Sequence, residues 1–147
     1  MKAWGAAAAT ALLAGCGWIS FRKPPTDDEL RVERELRAYY TQVKSAFAVG
    51  NSQALAALFD TSITRPMTKP DIESWGEKFF GEHGRARFIL RSFSLDEMGA
   101  GRAVTTIRYR VETPDGKGSF DGMERDELIK KGGRWYTVSW EKILEGR

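Results

Sequence analysis

Gly101-Arg102-Ala103-Val104-Thr105-Thr106-Ile107-Arg108-Tyr109-Arg110-Val111-Glu112-Thr113 alternates in character from one residue to the next. Successive side chains of a strand point to opposite faces, so Ile107, Tyr109 and Val111 share one face, the better core candidate, and Arg108 and Arg110 share the other. Alternation also marks 87–95, 119–131 and 135–143, and the segments between these runs, at 97–101, 114–118 and 131–133, are turn-like and carry glycine. Each run leads directly into the next, which predicts an antiparallel meander for the C-terminal half. Over 88–93 the faces do not separate, because Phe88 and Leu90 oppose Ile89, Arg91 and Phe93.

Upstream of Gly84 the period is helical. Val32, Leu36, Tyr39, Tyr40, Val43, Ala46 and Phe47 recur at spacings of three and four, predicting one amphipathic helix over 28–49. Asp27, Asp28 and Glu29 suit the positive end of its dipole, and Gly50 supplies a stop. Ser52 is read as the cap of a short second helix with Leu55, Leu58 and Phe59 on its apolar face. Thr61 to Thr64 reads as a short strand or extended loop closed by Pro66. Thr68-Lys69-Pro70-Asp71 opens a third helix with a capping residue, an early proline and a well-placed acid, and Ile72, Trp75 and Phe79 form its buried stripe. His83 reads as a surface residue favoured by that helix's C-terminal end. Helices followed by strands indicate an α+β domain with the helices on one face of the sheet.

The 147 residues carry 23 Lys and Arg against 20 Asp and Glu, a net charge of +3 too small and too mixed for a nucleic-acid-binding face. Tryptophan, tyrosine and phenylalanine are frequent enough to fill the core of one domain. His83 is the only histidine and Cys16 the only cysteine, so one chain cannot assemble a zinc site of the usual kind. No loop has calcium-binding spacing, and Asp115-Gly116 and Asp121-Gly122 read as turns. No metal and no cofactor are expected.

At the N-terminus, Met1-Lys2 is followed by an apolar run, and Leu13-Ala14-Gly15-Cys16 closes it. The run is shorter than the roughly 20 residues of a membrane span and has the pattern of a signal peptide. Leu13 to Cys16 resembles the bacterial lipobox, which implies cleavage before Cys16 and lipidation of its thiol. Gly17 stands where an inner-membrane retention signal carries Asp, so the resemblance implies outer-membrane sorting, facing the periplasm, in a host with two membranes. The expected organisation is a signal peptide over 1–15, a lipidated N-terminus and tether over 16–27, and one domain over 28–147.

Three passages carry a second resemblance. They are Phe47-Ala48-Val49-Gly50-Asn51 with Ala54-Leu55-Ala56-Ala57-Leu58-Phe59, the third helix with Trp75 and Phe79, and Leu128-Ile129-Lys130-Lys131-Gly132-Gly133-Arg134-Trp135. The segment from about Val32 to Leu144 resembles the nuclear transport factor 2-like superfamily, also called SnoaL-like or cystatin-like. This implies a curved sheet wrapped around the long helix, with a cone-shaped pocket used for catalysis, for ligands or for dimer contacts in different members. Steroid isomerase-like members carry Asp before Pro after the second helix, where this chain has Arg65-Pro66. They also place an oxyanion-donating tyrosine near the position of Val43, about a turn beyond Tyr39 and Tyr40. Asp60 and Glu124 offer carboxylates instead, and a general base must be positioned before its pKa matters. No catalytic residue is assigned.

Tyr40, Trp75, Tyr109 and Trp140 are the candidate aromatic lining, with Arg65 and Arg91 at the mouth, an arrangement suited to an amphipathic or anionic small molecule. The same residues equally describe a packed core with a solvated basic rim. Arg108, Arg110 and Glu112, near Glu124, Arg125, Asp126 and Glu127, are expected to make the outer sheet face highly charged, which disfavours a large apolar homodimer interface. The expected protein is anchored to the membrane through lipid on Cys16, and its domain is a non-catalytic module for a small molecule or an envelope protein. A homodimer and an isomerase-like enzyme on a small hydrophobic substrate are the alternatives.

Overall fold

A computed structural model describes residues 23–144. The expected signal peptide, Cys16 and most of the tether lie outside the described residues. The chain divides into two units at Leu30. In the first, residues 23–26 have no regular structure, and Thr26 Oγ1 accepts from the Glu29 N–H at 3.1 Å as a helix begins.

That helix, α1, is Asp27–Val49, and the residues it buries are Val32, Leu36, Tyr39, Tyr40, Val43, Ala46 and Phe47, the stripe the spacing predicts. It ends at Gly50, whose φ of 69° is the left-handed conformation glycine adopts without strain. The second helix, α2, is Ser52–Ala56. Its cap is Asn51 rather than Ser52: the Asn51 side chain accepts from Ala54 N, and an extended backbone places Asn51 just outside the helix. Leu58 and Phe59 lie past its end, and Phe59 instead bridges in parallel to Thr137. Residues 61–64 form turn and irregular backbone. The third helix, α3, is Lys69–His83, opened by a reciprocal capping box between Thr68 and Asp71.

Four strands follow: β1 Arg87–Gly99, β2 Arg102–Glu112, β3 Phe120–Lys131 and β4 Arg134–Lys142. They form one antiparallel sheet in the order β1-β2-β3-β4, the meander the turns predict. Asp121-Gly122 is not a turn, because both residues pair within the β2–β3 ladder, opposite Arg110 and Tyr109.

The ambiguity in β1 is resolved by breaks in register. Leu90 pairs with Tyr109 and Ser92 with Arg108, so Arg91 is an extra residue, and a second irregularity follows at Asp96. A bulge adds one residue and shifts the alternation. Phe93, opposite Ile107, thereby joins the face of Phe88 and Leu90. This inner face packs against α1 through Phe88, Ile107, Val111, Leu128 and Trp135, all buried.

The C-terminal hairpin is fastened to the helices. Trp135 Nε1 donates to Glu35 Oε2 at 2.8 Å, and Lys130 Nζ donates to the same carboxylate at 3.0 Å. These two donors, in that order, hold the Glu35 pKa below its ordinary value. Tyr39 donates to the Leu58 carbonyl at 2.8 Å, so the Thr137 hydroxyl, 2.7 Å away, donates to the phenol oxygen. His83 is less exposed than the sequence reading expects: its ring lies 5.2 Å from that of Phe79, and its Nδ1 is 3.3 Å from Asp115 Oδ2. A Cβ on Gly118 would come within 2.6 Å of that ring, so glycine there lets the β2–β3 turn lie against α3. Among the described residues, no helix is long and apolar enough to cross a membrane.

Candidate functional site

Between the helices and the inner sheet face lies a cavity of about 270 Å³. Val43 and Phe47 of α1, Trp75 of α3 and Phe59 wall one side; Phe88, Tyr109 and Trp140 of the sheet wall the other. Phe47 packs edge-on to Trp75, Phe88 stacks on Tyr109 with centroids 5.1 Å apart, and Phe59 lies 5.3 Å from Trp140. Among the described residues, Glu124 is the one carboxyl on this wall, which carries no Lys, Arg or His.

Three of the sequence candidates therefore meet around the cavity: Trp75, Tyr109 and Trp140. Tyr40 is buried outside the lining and serves the polar cluster described below. Arg65 is exposed and stands away from the cavity wall. Arg91 occupies the β1 bulge and lines a separate groove with Arg108 and Lys142. The expected basic mouth is absent from the wall, where an acid stands instead.

Strand register explains that acid. Glu124 pairs with Ile107 and Asp126 with Thr105, so both carboxyls project to the inner face, while Arg125 and Glu127 point outward. The uniformly solvated run expected over 124–127 is thus split by alternation. Asp126 is 3% exposed. Tyr40 donates to Asp126 Oδ2 at 2.6 Å; its single proton is then committed, so the Thr105 hydroxyl, 2.7 Å away, donates to the Tyr40 oxygen. Tyr109 donates to Glu124 Oε2 at 3.3 Å. Asp126 Oδ1 is buried without a hydrogen-bond partner.

Two carboxyls in a dry, shared environment resist ionisation. Burial first, and repulsion from Asp126 second, push Glu124 up to about 9, and burial pushes Asp126 up to about 6. Raised together, the two carboxyls titrate as one pair, and a proton held between them gives a donor to the otherwise unpaired Asp126 oxygen. Burial, then the neighbouring carboxylate, also raises Tyr40 and Tyr109, which stay protonated donors. Tyr109 reaches this position because its partner in register is Gly122, where a Cβ would lie 2.3 Å from the ring.

The other sequence-proposed carboxylate is elsewhere. Asp60 Oδ1 accepts from Lys131 Nζ at 2.6 Å, and Ser62 donates to Asp60 Oδ2 through its N–H at 3.0 Å and through its hydroxyl. The Lys131 hydrogen bond, followed by those of Ser62, holds Asp60 down at about 2. It is absent from the cavity wall. Among the described residues no His, Cys, Asp and Glu cluster has the makings of a metal site.

Solved structures share this architecture. A Mycobacterium tuberculosis protein of unknown function matches 82% of this chain and 75% of its own at 15% identity, with a TM-score of 0.69. Aln2 from a Streptomyces species matches 84% of this chain and 95% of its own at 16% identity and 0.64. A Nostoc punctiforme protein of unknown function with a cystatin-like fold matches 82% and 93% at 11% identity and 0.62. The fold is cystatin-like. It is the α+β cone of nuclear transport factor 2-like domains, in agreement with the resemblance carried by the sequence. No family model and no curated protein matches the chain.

Site chemistry must come from residues rather than fold. The cystatin-like cone positions an aromatic cavity and a carboxyl pair. Thr105 and Asp126 were not singled out as site residues by sequence reasoning, although one signal pointed to them: the parity that places Leu128 in the core also turns Asp126 and Glu124 inward.

Proposed function

We propose that this is a lipid-anchored protein of the bacterial cell envelope whose cone binds a small, largely apolar molecule. The observation that carries the binding role is the cavity of about 270 Å³ walled by aromatic side chains, with one carboxyl on its wall. Such a volume lies near the lower end of small-molecule sites, which are mostly apolar with a few placed polar groups. The anchor rests on Leu13-Ala14-Gly15-Cys16. Each buried lipid methylene contributes about 0.8 kcal/mol and one chain alone binds reversibly, so the two or three chains of a processed lipoprotein hold firmly. Gly17 favours the outer membrane in a host with two membranes. Glu124 on the wall, with Asp126 buried beside it, supports a second reading, an enzyme that moves a proton on a small hydrophobic substrate.

Native mass spectrometry of the full chain tests the binding role: an adduct that leaves on denaturation supports it, and a clean empty chain counts against it. The anchor is tested by Cys16→Ser, which is expected to release the protein from membranes or leave its precursor unprocessed. Processed variant remaining in the membrane fraction would sink that part.

A further inference from the structure

We propose that the cavity takes a lipophilic amine in its protonated form, the ammonium meeting the Glu124 carboxyl on the wall, with Asp126 buried behind it, and the apolar body filling the aromatic walls. This rests on the cavity reading above and names the ligand class. The first ground is charge. Among the described residues, no Lys, Arg or His forms an ion pair with either carboxyl, whereas Asp60 has Lys131 and Glu35 has Lys130. A pair holding one proton keeps one negative charge in an apolar surround, and such a charge calls for a cation.

The second ground is the pair's hydrogen bonding. Asp126 Oδ1 is buried with no partner, and a proton on Glu124 supplies its donor, leaving Glu124 able to accept an N–H from the cavity. The third ground is the wall itself: Trp75, Tyr109 and Trp140 line the same space as Glu124. Aromatic faces attract cations, most strongly when the cation is desolvated. An anionic ligand, by contrast, would face an acid and no base.

The groups around the pair are accounted for element by element. From α1 comes Tyr40, which donates to Asp126, and from β2 come Tyr109, which donates to Glu124, and Thr105, which bonds to Tyr40, all uncharged; Tyr39 of α1 donates to the Leu58 carbonyl instead. From β4, Lys142 pairs with Glu124 in register but is exposed. From α1, Arg37 is turned to Glu33 and to the face of Phe93. The negative charge appears once the pair gives up the first of its two protons, a step belonging to the pair as a whole. Amine affinity is therefore expected to rise as pH increases through about 6.

The test uses the full chain with three probes of nearly one shape, phenethylamine, phenethyl alcohol and phenylacetate, followed by calorimetry and by the indole signals of Trp75 and Trp140. Phenethylamine is expected to bind at least tenfold more tightly than phenethyl alcohol at pH 7.5, and phenylacetate not at all. The amine's advantage is expected to shrink below pH 6. Glu124→Gln, which imitates the protonated acid and leaves Asp126 charged, retains the preference. The double variant Glu124→Gln with Asp126→Asn keeps the shape, discards the charge, and binds amine and alcohol alike. If wild-type protein binds the alcohol as tightly as the amine, or if the double variant still prefers the amine, the charge selection is overturned while the cavity reading stands. If none of the three binds, the cavity reading falls and this inference falls with it.

Discussion

Asp60 and Glu124 are two carboxyls of one domain in opposite electrostatic states. Asp60 closes the contact between the α2 turn and the last hairpin, holding a lysine at 2.6 Å and two Ser62 donors, and is ionised across the whole physiological range. Glu124 sits on an aromatic wall beside a second acid, with a phenol donating to it at 3.3 Å, and burial pushes it toward its protonated form. Residue type decides neither outcome. What separates them is whether the surroundings bring a cation and an N–H donor, as at Asp60, or bring Ile107 and Tyr109 from the opposing strand and Asp126 from the same strand, as at Glu124. The first environment makes a fastener; the second leaves a carboxyl with no cation beside it.

Their effects on stability run in opposite directions with pH. Glu124 binds its proton more tightly folded than unfolded, so stability falls as pH rises from the ordinary glutamate value of 4.5 toward about 9. Asp126 adds to the fall between 3.8 and about 6. Asp60 has its folded value depressed, so its contribution is full above 3.8 and is lost as pH falls toward about 2.

The largest effect should come from removing the uncompensated pair. Glu124→Gln with Asp126→Asn is expected to raise stability by about 3 kcal/mol at pH 8, since replacing buried charge often stabilises. Thermal melts from pH 5 to pH 9 check it: the wild type declines and the variant stays flat. Gly122→Ala attacks the same contrast from the other side. Its Cβ would collide with the Tyr109 ring, costing about 2 kcal/mol and letting water reach Glu124. Glu124 should then titrate nearer to an ordinary glutamate, as carboxyl NMR shifts would report. Asp60→Asn should cost about 1 kcal/mol at pH 7 in urea unfolding, a loss that shrinks as pH falls from 3.8 through about 2. Lys131→Met should cost about 0.5 kcal/mol, because Lys131 is largely exposed and such pairs contribute little. A Lys131 effect larger than that of Asp60 would mean that the Ser62 donors matter less than the geometry indicates.

Much of this architecture is written in periodicity. The stripe from Val32 to Phe47 identifies α1 because a long helix packed on one face repeats its signal many times. The Thr68–Asp71 box is readable because its chemistry is local. The faces of β1 are hidden, since a one-residue bulge at Arg91 reverses the alternation and no local residue announces it. That shift also carries Arg91 away from the cavity, leaving the predicted basic mouth unbuilt. Glu124 and Asp126 are obscured for another reason. Acids in a strand are ordinarily solvated, so their charge masks the parity they share with Leu128, and the register with Ile107 and Thr105 shows them facing inward. The short α2 misleads by one residue, because Asn51 and Ser52 are both good caps and only backbone conformation separates them.

Thr137 is the point where the first and last parts of the body meet: it pairs with Phe59, shares a hydrogen bond with Tyr39, and lies two residues beyond the Trp135 that holds Glu35. Hairpins of the meander join near neighbours and close cheaply, whereas these contacts span 98 and 100 residues. A chain emerging from a ribosome or a translocation channel can therefore assemble its sheet piece by piece, yet cannot seal the helical wall until β4 has appeared. Completion of the tertiary structure is timed by β4, and pausing synthesis just before Trp135 should leave a collapsed, protease-sensitive nascent chain whose aromatic interior is still open.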